Sequence, residues 1–169
     1  MDVLSTWSVR IAEDVAPDEV DLAPVMARAY VAGGAARKDL FRQTRGNASG
    51  GFGAGQVTAV FPWVLQSLAV AAPAISAMLA ATPYLKDFVS IVKDALDIRA
   101  SIKDETVVPT GDRYAPLREA MAAVRSELDA VPLTEDQRDL IAYRVMCVLL
   151  ESPTGATEFV QTVGETVDG

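Results

Sequence analysis

Between Asp112 and Val131 the apolar residues Tyr114, Leu117, Met121, Val124, Leu128 and Val131 recur at alternating steps of three and four. That spacing lays them along one side of a helix. Asp112 is placed to cap its start, Pro116 falls in the first turns where a missing N–H costs little, and Pro132 ends it. A second helix follows at once. Thr134 and Gln137 form a capping box, and Glu135, Asp136 and Asp139 lie where the helix dipole favours anions. Leu140, Ile141, Tyr143, Val145, Met146, Cys147, Val148, Leu149 and Leu150 then cover most of the circumference, the pattern of a helix buried on all sides. Leu140 and Val148 are expected in the core. Ser152-Pro153 opens a last short helix through Phe159, Val160 and Val163.

Toward the N-terminus, Leu4, Trp7, Ile11 and Val15 fit a helix, while Trp7, Val9 and Ile11 also alternate as in a strand. The helix is preferred because no second strand is evident to pair with it. Asp21 is placed to cap a helix from Leu22 to about Ala32, which Gly33-Gly34 stops. Ala35 to Thr44 forms a basic helical segment with Leu40 and Phe41 on its inner side.

From Gly46 to Leu85 no charged residue occurs. The first part, Gly46 to Gly55, is rich in glycine. A phosphate-cradling loop is excluded by its details: Gln56 stands where the dinucleotide fingerprint needs glycine or alanine, and no Gly-Lys-Ser/Thr occurs in the chain. A hinge between helical blocks is the expectation. The second part, Val57 to Ala81, exceeds the roughly 20 apolar residues that span a bilayer as a helix. Pro62, Pro73 and Pro83 cut it into shorter pieces, which suit a kinked span, a re-entrant hairpin or two buried core helices. Phe61, Trp63, Leu65, Leu68, Ile75 and Leu79 are the expected contacts to a partner or membrane. Arg37, Lys38, Arg42 and Arg45 form a basic flank beside them, suited to an anionic surface. A further helix is expected from Pro83 to about Ile102, with an extended linker at Thr106–Gly111.

The expected fold is therefore all-α, a compact array of six or seven helices around a proline-broken apolar hairpin. Its two blocks are residues 1–105 and 106–169, packed as one domain. At 169 residues and 50% apolar, the chain has enough apolar surface to offset the entropy of ordering it.

Chemistry narrows the function. There is no histidine and Cys147 is the only cysteine, which removes imidazole bases, Ser-His-Asp and Cys-His catalysis, the common zinc sites and an intrachain disulfide. A formal charge of −8 argues against nucleic acid. The acid groups Glu13-Asp14, Asp18-Glu19-Asp21 and Glu135-Asp136-Asp139 lie at or beside expected helix starts, where acids ordinarily act as electrostatic caps. No enzyme activity, cofactor or metal is expected. The start Met-Asp-Val-Leu lacks the basic region of a secretory signal, so the expected location is cytoplasmic, with membrane association as the alternative. The expected function is a helical interaction module that self-associates as a homo-oligomer or binds a protein partner through the apolar centre. A membrane-associating or pore-forming protein that inserts residues 57–81 on a trigger is the alternative, and a carboxylate enzyme the third.

Overall fold

The computed structural model describes residues 2–45, 59–81 and 115–165, with the backbone alone for 43–45. These residues form eight α-helices and one 3-10 turn, with no strand among them. The helices are α1 (Val3–Val15), α2 (Ala23–Ala32), α3 (Gly34–Arg45), α4 (Phe61–Val70), α5 (Ala72–Ala80), α6 (Ala115–Leu128), α7 (Glu135–Glu151) and α8 (Pro153–Gly164); the 3-10 turn is Pro17–Glu19. The all-α expectation holds, with eight helices in place of six or seven. The segments 46–58 and 82–114 lie outside the described residues. With them go the expected glycine hinge, the Pro83–Ile102 helix, the Asp112 cap and the block boundary at Thr106–Gly111.

Side-chain caps of their own fix the starts of two helices, α1 and α7. The Asp2 carboxylate accepts the Ser5 N–H at 2.7 Å and fixes the beginning of α1. The Thr134–Gln137 capping box of α7 is complete in both directions, at 3.3 and 2.9 Å. Asp21 does not cap α2. That helix begins after Leu22 with no side-chain cap and with Pro24 in its first turn, where a donor is missing by covalent structure. Gly33 ends α2 at φ +69° and donates its N–H to the Tyr30 carbonyl at 3.1 Å.

The apolar centre is an elbow. Helices α4 and α5 meet at Ala71 and bend by 71°. Pro73 sits in the first turn of α5, where it has no N–H to continue the ladder of α4. A bend of 71° turns a corner and does not bring the second half back antiparallel as a hairpin would. Around it, α4 and α5 both pack on α6 and α8, and α2 also reaches α4. Helix α1 lies against α2, α7 and α8. Arg10 of α1 pairs with Glu151 of α7 at 2.8 Å, and Arg144 of α7 donates to the Asp14 carbonyl at 2.7 Å. The two contacts run in opposite sequence directions, so α1 and α7 are antiparallel. Trp7 stacks on Phe159 with ring centroids 6.1 Å apart, and a Cβ on Gly155 would come within 2.9 Å of the indole nitrogen. The small residue at 155 is what allows α8 to lie this close to α1.

The buried core draws on every described helix except α3, whose Leu40 and Phe41 pack half-buried against it. Leu117, Val124, Leu128 and Val131 of the predicted stripe are buried, and Met121 is half-buried against them. Helix α7 buries every residue from Ile141 to Leu150 except Arg144, which is exposed. Val148 is core as expected; Leu140 is only half-buried, because it stands in the second turn of α7, near the solvent-facing start of that helix.

Candidate functional site

The elbow is where the structure places the residues that the sequence singles out. Five of them, Phe61, Leu65, Leu68, Ile75 and Leu79, point inward and are covered by the chain's own helices, each 5% exposed or less. In this arrangement they offer no surface to a partner or a membrane. Steps of three and four along α4, repeated along α5, group them on one side, and packing turns that side toward α6 and α8. The outward side carries Val70, Pro73, Ala77 and Ala80, all exposed. Val70 is 41% exposed. An outward helix face normally carries charges, and this one has none.

Beside the elbow, the end of α8 forms one wall of a shallow cleft of about 640 Å³. Ala69, Val70, Ala72, Pro73 and Ser76 line it from the elbow, and Gln161, Gly164 and Glu165 from α8. The walls meet closely at the base, where a Cβ on Gly164 would lie 2.9 Å from the Ala72 Cβ. Small residues on both sides set the depth of the cleft.

The start of α4 is held from a distance. Glu19, in the 3-10 turn after α1, accepts the N–H groups of Val60 at 2.7 Å and Phe61 at 3.0 Å. One carboxylate thus satisfies two of the donors that α4, which has no cap of its own, leaves open. The sequence sets the acid cluster Asp18-Glu19-Asp21 beside the start of α2; its central member instead caps a helix 42 residues downstream.

The basic flank divides. Arg37 is half-buried, and its Nη2 donates to the Tyr30 hydroxyl and to Gln66 Oε1, both at 2.7 Å. Its guanidinium lies 4.2 Å from the Tyr30 ring centroid. The Tyr30 hydroxyl donates in turn to Gln66 Oε1 at 2.9 Å. Burial pushes the Tyr30 hydroxyl above its ordinary pKa, with Arg37 opposing that shift and Glu127 adding to it. Lys38 and Arg42 are exposed, and Arg42 pairs with Asp39 at 3.4 Å. The side chain of Arg45 lies outside the described residues. Trp63 is half-buried at the same end of the elbow, edge-on to Phe41 with centroids 4.9 Å apart.

A second, smaller cleft of about 260 Å³ lies between α6 and α7, lined by Arg118, Met121, Arg125, Asp139 and Tyr143 among others. Arg125 is engaged there by Glu135 and by Asp139, the latter at 3.1 Å. The third acid cluster thus neutralises an arginine. Among the described residues, no group of three or more acid, cysteine or histidine side chains is placed to hold a metal ion.

Compared with models of protein families, with curated proteins and with solved structures, the chain matches none.

Proposed function

We propose that the protein is a non-enzymatic helical interaction module that self-associates through the outer face of its apolar elbow. The observation that carries this reading is the row Val70, Pro73, Ala77 and Ala80, exposed and uncharged on a chain whose formal charge is −8. In a two-fold contact each patch meets its own copy, so any charge on it faces a like charge. A charge-free face pairs with its own copy at little electrostatic cost. The test is sedimentation velocity on the full chain. A species larger than the 18.0 kDa monomer is expected, and Ala77→Glu should return it to monomer without lowering the melting temperature. A wild-type protein that stays monomeric at about 100 μM, a concentration at which even weak contacts of this kind form, rejects self-association.

The second reading is a membrane-active protein. Among the described residues no single helix is long and apolar enough to cross a membrane, but α4 and α5 together have the length and composition of a bent span. The basic helix α3 beside them favours an anionic surface. Trp7→Phe leaves Trp63 as the only indole. Its emission is expected to stay unchanged when anionic liposomes are added at neutral pH, and dye release from those liposomes would promote this second reading over the first.

A further inference from the structure

We infer that α3 is a hinged cover, latched over the Trp63 end of the elbow by Arg37, and that it opens while the rest of the fold stays closed. Three independent features carry this. The first is the joint. Gly33 and Gly34 adopt φ of +69° and +55°, and a Cβ at either would meet nothing within 4 Å. The glycines are therefore there for backbone freedom and not for packing space: Gly33 ends α2 and Gly34 opens α3.

The second is how α3 is held. Its helix axis lies against α2, next to the joint, whereas its hold on α4 runs through side chains: Arg37 to Gln66, and the ring of Phe41 against Trp63. Tyr30 completes the latch, donating to the same Gln66 oxygen and lying 6.4 Å from Phe41. The outer side, with Lys38, Asp39 and Arg42, is solvated and adds nothing to the closed state. Segments with few buried apolar contacts open at lower free energy than the core does.

The third is a cost built into closure. Among the described residues, the buried Trp63 indole N–H has no hydrogen-bond acceptor. A buried donor without a partner opposes the arrangement that buries it, and opening returns it to water. Closure is thus a balance between the Arg37 latch and the Trp63 orphan donor, which keeps the cover removable. This inference stands apart from self-association, which uses the opposite end of the elbow.

Amide hydrogen exchange on the full-length protein tests it. The amides of α3 are expected to exchange at least about tenfold faster than those of α4. Arg37→Met removes both latch bonds of the guanidinium and should raise α3 exchange at least about fivefold more, the change for even one hydrogen bond of ordinary net strength, and leave α7 unchanged. Gly34→Ala provides a second route, since alanine disfavours φ +55° and should also raise α3 exchange. Exchange of α3 and α4 at a single rate in the wild type, equal acceleration of α3 and α7 by R37M, or no acceleration by either variant overturns the inference.

Discussion

Glu19→Ala tests a helix cap supplied from a distant part of the chain. The carboxylate receives the N–H groups of Val60 and Phe61 at 2.7 and 3.0 Å, across 41 and 42 residues of chain. A hydrogen bond to a charged group contributes about 1.5–3 kcal/mol net, and a helix cap about 0.5–2 kcal/mol. The two bonds share one half-buried carboxylate, so their sum lies toward the lower end, at about 2 kcal/mol. For a chain of 169 residues, a loss of about 2 kcal/mol lowers the melting temperature by about 4–8 °C. Glu19→Gln retains one acceptor but turns an amide donor toward the second N–H, so about half of the loss should remain. Circular dichroism through thermal and urea unfolding reads both variants; the urea midpoint should fall with the m-value unchanged, because the surface exposed on unfolding is the same. A melting temperature within about 1 °C of wild type in E19A would refute the assignment, since α4 would then start without help from the 3-10 turn.

Two further outcomes are expected. Leu128→Asp places an unpaired carboxylate at a fully buried position of α6, and should abolish folding or lower the melting temperature by more than about 10 °C; a wild-type melting curve would remove Leu128 from the core. The raised Tyr30 pKa gives an alkaline limb to stability. Between the ordinary value of 10.0 and the higher folded value, the native state holds a proton that the unfolded chain has lost. Stability is therefore intact below pH 10 and falls as pH rises beyond it, and urea midpoints should show Tyr30→Phe with a flatter alkaline limb than wild type.

Legibility in the sequence tracks the presence of contrast. Helix α6 is readable because Arg118, Glu119, Arg125 and Glu127 separate its apolar stripe from solvent, and α7 because Thr134 and Gln137 mark its start. In the elbow no side is charged, so periodicity groups residues by face without saying which face turns inward. Phe61, Leu65, Leu68, Ile75 and Leu79 are large apolar residues and draw the functional assignment, yet such side chains are the ones that burial stabilises most. The outward row is made of the smaller residues Val70, Pro73, Ala77 and Ala80. Glu19 shows a different limit: an acid beside a helix start is read as that helix's cap, and nothing local reveals that its partner is α4. Arg37 is legible as a basic flank but not as a latch, because its partners Tyr30 and Gln66 come from two other helices.

The geometry of the elbow also weighs the two functional readings against each other. To enter a bilayer, α4 and α5 must give up the intramolecular burial of Phe61, Leu65, Leu68, Ile75, Met78 and Leu79. At about 1.5–3 kcal/mol for each fully buried side chain, that withdrawal costs about 9–18 kcal/mol before lipid returns any of it. The net stability of a domain is about 5–15 kcal/mol, so removing the elbow is equivalent to unfolding the bundle around it. Membrane insertion would then follow the unfolding transition, rising with urea or temperature and falling in variants that stabilise the fold. Pairing through Val70, Pro73, Ala77 and Ala80 demands no such rearrangement, because these residues already face outward. Conditions that leave the fold intact therefore separate the readings: surface association persists there, and insertion does not.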